Sequence, residues 1–167
     1  VTVSTYDAYA QRIVAEHALR RGREPSPRLL TEAMAWQYAD RVVRAYDGPM
    51  DQVDRALSTV TRDVVDLHGE LSGHLVSPDA LREFTARLIE EIESRPRAKG
   101  QRTKEAMYSE VRKVLARQRA RLQLLPMVER FTAEKKRREA VDFADQAELA
   151  ARLAADFPEV GQRERER

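Results

Sequence analysis

The sequence predicts an all-α fold, an irregular multi-helix bundle organised around one long basic helix. Three observations predict it. Apolar residues recur at three- and four-residue steps over long stretches, glycine and proline separate these stretches, and the β-branched alternation of residues 1–3 is isolated. That alternation predicts a strand stub at the N-terminus. A chain of 167 residues can bury a real core, so we expect a single helical domain over residues 1–167.

Four helices are expected before the long one. Ser4 and Thr5 are suitable N-caps for the first helix, and Ser77 followed by Pro78 suits the start of the fourth. The expected spans are about residues 5–21, 29–46, 50–74 and 78–94. We expect core positions for the large side chains Trp36, Tyr38, Phe84, Tyr108 and Phe131.

The long basic helix is predicted over residues 103–140 and leads into the segment 141–146. Pro126 is expected to kink or break it, because proline removes one hydrogen bond and clashes with the preceding turn. Its apolar stripe comprises Met107, Val111, Val114, Leu115, Leu122, Leu125 and Val128. After Asp142 a shorter helix should end near Asp156, and the charged tail from Gly161 is expected to be frayed.

The basic residues are unevenly distributed. Net charge is only +2, yet 25 of the 30 basic residues are arginine. Residues 95–138 hold 15 basic and four acidic residues, whereas residues 47–93 hold 11 acidic and four basic residues. This asymmetry fits a domain with one polyanion-facing side, although pairing with glutamates four residues away explains charged helix faces equally well. The candidate phosphate contacts are Arg95, Arg97, Lys99, Arg102 and Lys104 in a loop and Arg117 and Arg121 on the long helix.

Several kinds of site are unsupported. None of the six glycines belongs to a phosphate-binding loop motif, so no catalytic residue and no cofactor site is expected within these residues. The histidines His17, His68 and His74 lack the spacing of metal ligands, and we expect no metal site. The chain contains no cysteine, and no apolar run is long enough to cross a membrane.

Two segments resemble one protein family. The opening V-S-T-Y-D-A-Y-A resembles the T-F-H-[ST]-[FL] segment of UvrD/Rep-like superfamily 1 DNA helicases, and V-D-F-A-D-Q resembles that family's L-D-F-D-D-L segment. In the family these segments flank a helical insertion in the first RecA-like motor domain, called subdomain 1B. The helical stretch between them has the right length, so the resemblance covers the whole chain.

The resemblance implies a parent protein that hydrolyses ATP with Mg²⁺ to move 3′ to 5′ along single-stranded DNA. This chain would be its DNA-binding accessory subdomain, excised from a larger cytoplasmic protein. Its partners would be single-stranded and duplex DNA, contacted without regard to sequence, and the parent's own motor domains. Residues 1–5 and 142–167 would form the junctions to the motor, while the catalytic motifs would lie outside the chain.

Individual residues can be matched to the two family segments. Thr5 matches a threonine that contacts the backbone of single-stranded DNA, and Tyr6 matches the adjacent aromatic residue. Asp7 replaces the usual histidine, so that histidine's contact is not carried over. Asp142, Phe143 and Asp145 match the second segment, whereas Ala144 and Gln146 depart from it. We expect this segment to cap and dock the last helix rather than to do chemistry.

Two other interpretations fit the same helical pattern. One is a free-standing helical protein-protein interaction or scaffold domain, with an amphipathic groove for a partner helix. The other is a helix-turn-helix regulator, for which no short helix, glycine turn and recognition helix lie close together in the sequence. A phosphate-binding loop upstream in the parent reading frame would distinguish the helicase interpretation from both.

Overall fold

The computed structural model describes residues 4–96, 100 and 107–166, and it shows a multi-helix all-α fold. Residues 1–3, where a strand stub was predicted, lie outside this part. The helices are α1 Tyr6–His17, α2 Glu32–Arg44, α3 Leu57–Gly73, α4 Pro78–Ser94, α5 Ser109–Arg137, α6 Phe143–Asp156 and α7 Pro158–Glu166. A 3₁₀ turn at Ala18–Arg21 extends α1.

The helices form two groups, each with its own apolar core. We call α2, α3, α4 and α5 the main bundle, whose core contains Val43, Val60, Val64, Leu125 and Phe131. We call α1, α6 and α7 the terminal bundle, whose core contains Ile13, Val14, Ala150, Leu153 and Val160. The two bundles meet where α6 packs against α3.

The described residues contain one pair of strands, each of two residues. Strand β1 (Arg28–Leu29) pairs in parallel with β2 (Ala140–Val141). Both strands include residues that were predicted to be helical. The second helix was predicted to start at Leu29, and the long helix was predicted to end at residue 140. The second helix instead begins at Glu32, where the Thr31 side chain accepts a hydrogen bond from the Met34 N–H at 3.3 Å.

The third helix also starts later than predicted. Residues 50–56 form a loop in which the N–H of Gln52 donates to Oε1 of Gln123 at 2.8 Å. Val53 is buried against the main core. A side chain of α5 and the apolar core therefore hold this loop out of the helix, an effect that periodicity does not reveal.

The long helix is confirmed, with different limits. The described part runs from Ser109 to Arg137 and continues through Pro126, so the predicted break does not occur. Leu125 and Met127 beside the proline are fully buried, and core packing offsets the roughly 3 kcal/mol that an internal proline costs. The helix ends before Glu139, whose left-handed backbone (φ 50°) turns the chain into β2.

The predicted frayed tail is wrong. Residues 158–166 form α7, and Val160 inserts into the terminal core with 1% of its surface exposed. Arg12 on α1 also pairs with Glu164 through Nη2 and Oε2 at 2.6 Å. One buried valine and a cross-helix ion pair hold this charged segment against α1 and α6.

The large side chains divide differently from the prediction. Tyr38 and Phe131 are buried as expected, but Trp36, Phe84 and Tyr108 are exposed. In the predicted stripe, Leu115, Leu125 and Val128 are buried, Met107, Val111 and Leu122 are half-buried, and Val114 is exposed. Because α4 packs mainly on α5, this two-helix part of the main bundle covers its apolar residues incompletely.

A search of the described helices for a membrane-spanning segment finds none that is both long enough and apolar enough.

Candidate functional site

The predicted DNA-contacting residues lie on separate parts of the chain. Thr5 caps α1, with Oγ1 accepting a hydrogen bond from the Ala8 N–H at 3.2 Å, and Tyr6 beside it is 82% exposed. Arg95 follows α4 and pairs with Glu91. Arg117 and Arg121 are exposed on α5. The loop residues Arg97, Lys99, Arg102 and Lys104 lie outside the described part of the chain.

Arg117 and Arg121 belong to a longer row of basic side chains. Lys113, Arg117 and Arg121 follow one another at four-residue steps along α5, and all three are exposed. We call them the basic stripe. None has a carboxylate partner among the described residues, and Arg121 contacts only the amide oxygen of Gln118, at 3.2 Å.

Most other arginines of the main bundle are neutralised. Arg82 pairs with Glu129, Arg119 with Glu93, Arg130 with Asp47, and both Arg137 and Arg138 with Glu134. Ion pairing thus explains these positions without a ligand, as the alternative interpretation of the charge pattern expected. That explanation does not apply to the basic stripe, nor to the exposed Lys136 near the end of α5.

A second group of ionisable residues lies between the two bundles, with its histidine and lysine buried and its two aspartates half-buried. It comprises His68 of α3, Lys135 of α5, and Asp142 and Asp145 at the start of α6, and we call it the buried cluster. Lys135 Nζ donates to Asp142 Oδ2 at 2.6 Å and to Asp145 Oδ2 at 2.7 Å. His68 Nε2 lies 2.9 Å from Asp145 Oδ1, 77 residues away in sequence.

The two aspartates also start α6. Asp142 Oδ1 accepts from the Asp145 N–H, Asp145 Oδ2 accepts from the Asp142 N–H, and both distances are 2.9 Å. This reciprocal capping box satisfies two backbone donors that a helix N-terminus otherwise leaves without partners. The predicted capping and docking role of this pair is confirmed.

Phe131 and Thr132 support the buried cluster from α5. The Phe131 ring meets the His68 ring edge-on at 5.3 Å, and Lys135 Nζ lies 4.8 Å from the Phe131 centroid, within cation–π range. Thr132 Oγ1 donates to the Val128 carbonyl at 2.9 Å and lies 3.3 Å from His68 Nδ1. Each member of the cluster therefore has its orientation fixed by neighbours.

The chain folding brings together three groups able to ligate a metal, which their sequence spacing did not predict. The ligand atoms of His68, Asp142 and Asp145 lie within 4.8 Å of one another. However, the Lys135 ammonium already contacts both carboxylates. The cluster thus carries its own cation, and the charge that would attract a metal ion is largely balanced from within.

Sequence reasoning missed Lys135, which it counted only as one of the basic residues of the stretch 95–138. Only 2% of its surface is exposed. Leu124, Val128 and Phe131 precede it at steps of four, three and four residues along the buried face of α5. That spacing could have identified Lys135 as a buried cation that needs carboxylate partners.

A cleft of about 580 Å³ opens beside the buried cluster. It lies between the loop after α1, the end of α5 and α6. Its charged lining consists of the bases Arg21, Arg23, Lys135, Lys136 and Arg152, the acids Glu24, Glu139, Asp145 and Glu148, and His68. Since both signs occur in similar number and Arg152 pairs with Glu148, the lining selects neither an anion nor a cation.

No family model matches this chain, and a search of curated proteins finds no matching relative. The function is therefore inferred from the residues themselves and from the two short segments that resemble helicases.

The buried cluster makes stability depend on pH in a definite direction. Burial alone would raise the pKa of Asp145, but its hydrogen bond with His68 and the Lys135 charge outweigh burial and hold that pKa well below its ordinary value. A lowered pKa in the folded state stabilises the protein above the unfolded value of about 3.9. This contribution is lost as the pH falls through that value towards the folded pKa.

Replacing Asp145 with asparagine should therefore flatten the acid side of the stability curve. We expect the free energy of unfolding of Asp145→Asn to fall less than that of the wild type between pH 5 and pH 2.5, measured by urea denaturation at each pH. Asp66→Asn, at an exposed position of α3, is the control. Equal acid dependence of the wild type and Asp145→Asn would contradict the assignment.

Proposed function

We propose that this chain is a DNA-binding accessory subdomain of an ATP-dependent 3′–5′ DNA helicase of the UvrD/Rep type. The observation that carries the proposal is the basic stripe. Its three cations have no carboxylate partner among the described residues, so binding a polyanion would lower their free energy. The paired arginines already have a counter-charge and gain less from such binding. The helicase assignment itself depends on the two matched sequence segments.

The geometry of the stripe suits a phosphate backbone. Each four-residue step along an α-helix advances about 6 Å, so the three side chains span about 12 Å. Long flexible arginine and lysine side chains on one helix can then reach successive phosphates of a strand. Such contacts position a protein on DNA without reading its sequence, which is what a motor that moves along any sequence needs.

The relation between α1 and α7 also supports the proposal. In a helical insertion, the segment that leaves the motor domain and the segment that returns to it should lie side by side. Arg12 of α1 binds Glu164 of α7, and Arg20 just after α1 pairs with Glu159. Thr5 and Tyr6, matched to a DNA-contacting segment, lie about two turns before Arg12 at the start of α1.

The proposed division of labour places the chemistry in the parent protein. ATP, Mg²⁺ and the residues that hydrolyse ATP would belong to the motor domains. This chain would hold single-stranded and duplex backbone beside the motor through the stripe and through Thr5 and Tyr6. Its own contribution would be binding energy, and that energy would decrease as salt concentration rises.

The test is a titration of this chain with a fluorescent duplex that bears a single-stranded tail, at several salt concentrations. We expect sequence-independent binding that weakens with salt, and weaker binding by the variant Lys113→Ala/Arg117→Ala/Arg121→Ala. Each lost phosphate contact should reduce the slope of log K against log salt by about one, so the triple variant should lose up to about three.

A variant of equal charge provides the control. Arg44, Arg55 and Arg152 pair with Asp40, Asp63 and Glu148 respectively, so their replacement removes the same three charges from paired positions. We expect this control to keep most of the salt slope. If the two triple variants bind equally, the stripe is not the contact surface. If the wild type does not bind at low salt, the DNA-binding proposal is wrong.

Exposed apolar residues on α4 and α5 favour the alternative, a protein-interaction domain. Phe84 is 57% exposed, Tyr108 46% and Val114 42%. These side chains lie on α4, just before α5 and on α5, where a partner could cover them. Under this alternative, Phe84→Ala would weaken binding of a protein partner, and the stripe variant would leave DNA affinity unchanged.

A further inference from the structure

The buried cluster lies between two apolar cores that share no residue. The main core is formed by residues of α2, α3 and α5, together with Leu30, Val53 and Ala140. The terminal core is formed by residues of α1, the following turn, α6 and α7. Each bundle therefore has its own source of hydrophobic stabilisation, and their relative position must be set by the contacts between them.

The hydrogen-bonded contacts between the bundles are concentrated in the buried cluster. His68 and Lys135 belong to the main bundle, whereas Asp142 and Asp145 start α6 of the terminal bundle. Lys135 donates to both aspartates, and His68 lies within hydrogen-bonding distance of one of them. One ammonium group thus binds the first turn of α6 to the end of α5.

Contacts of this kind fix orientation more strictly than apolar contacts do. The hydrophobic effect has no preferred direction, whereas charge-assisted hydrogen bonds require short distances and definite directions. Lys135 is almost fully buried, so separating its ammonium from the aspartates would cost free energy if α6 shifts. Any displacement of α6 would leave a buried charge without a partner.

We propose that Lys135 is a positioning residue, the centre of a joint that fixes the terminal bundle relative to the main bundle. α1 packs chiefly on α6, so the joint also fixes Thr5 and Tyr6 relative to the basic stripe on α5. The joint itself follows from the contacts. We further propose that the joint lets the basic stripe and the Thr5–Tyr6 segment bind one DNA substrate, and this role rests on the proposed function.

The joint can be tested by distance measurement, since the chain has no native cysteine. Spin labels on Ala15→Cys of α1 and Ala116→Cys of α5, both exposed, report the distance between the bundles. The test variant is Lys135→Met/Asp142→Asn/Asp145→Asn. It removes all three charges while keeping similar side-chain shapes, and neutral replacement of a buried ion group is often tolerated by the fold.

For the label pair between the bundles, we expect a narrow distance distribution when the buried cluster is intact. We expect a clearly broader distribution in the neutral variant. A second label pair within the terminal bundle, Ala15→Cys with Ala151→Cys of α6, should stay narrow in both. An equally narrow distribution between the bundles in the folded neutral variant would overturn the proposal. Broadening of both label pairs would also overturn it, because that result indicates general loosening of the terminal bundle rather than a joint.

DNA affinity provides a separate readout of the joint's use. If both surfaces engage one substrate, the neutral variant should bind the tailed duplex several-fold more weakly, with the salt slope of the stripe retained. Broadening without a loss of affinity would retain the joint but reject its use in DNA binding. Absence of DNA binding by the unchanged protein would instead reject the proposed function, whatever the distances show.

Discussion

Replacing Lys135 with methionine is expected to lower the free energy of unfolding by about 3–5 kcal/mol, because removal of one partner leaves buried charges uncompensated. Methionine fills much of the space of the lysine stem, so the expected loss comes from charge rather than from a cavity. Asp142 and Asp145 would then face each other without the ammonium that holds both. Urea denaturation near neutral pH measures the loss.

The pH dependence of Lys135→Met separates this mechanism from a simple packing defect. Two neighbouring carboxylates without a cation repel each other, and protonation of one of them removes the repulsion. The destabilisation should therefore shrink as the pH is lowered from 7 towards 4. Lys136→Met, at the exposed neighbouring position, is the control and should change stability little. A loss that is constant with pH would contradict the electrostatic explanation.

Replacing Phe131 with alanine is expected to cost about 3–5 kcal/mol, the range for a large aromatic removed from a core. Its ring is fully buried in the main core and also contacts His68 and Lys135. The variant would therefore leave a cavity in the main core and remove the aromatic contacts to His68 and Lys135. Urea denaturation should show a lower midpoint with an unchanged slope.

Phe84 offers a matched control for this substitution. It is the same residue type in the same bundle, but 57% of its surface is exposed. Phe84→Ala should cost less than about 1 kcal/mol, since surface replacements away from special contacts have small effects. Equal losses at the two positions would mean that the main core is not centred on α5 as the structure shows.

Helix existence was predictable wherever local signals were strong. Ser77 and Pro78 determine the start of α4, and Gly22 in the left-handed conformation follows the first helical segment as expected. The capping role of Asp142 was also readable, because an aspartate three residues before another acceptor is a local pattern. Each of these signals acts within one turn of helix, and distant residues have little effect on it.

The errors occur where distant residues compete with local preference. Thr31 caps α2 locally, and β2 approaches Leu29 from more than a hundred residues away and pairs with it. The Gln52 N–H is satisfied by Gln123 of α5 rather than by the first turn of α3. The charged sequence from Gly161 reads as frayed, yet packing of Val160 against α1 and α6 makes it helical.

The sequence by itself determined an all-α fold and the long basic helix. Periodicity, caps and charge are local properties, and the chain carries them in any conformation. Only the tertiary structure decided which cations are available. It paired many arginines with glutamates, left Lys113, Arg117 and Arg121 exposed, and buried Lys135 among His68 and two aspartates. Whether a lysine is solvated or holds two bundles together depends on which distant carboxylates folding brings within hydrogen-bonding distance.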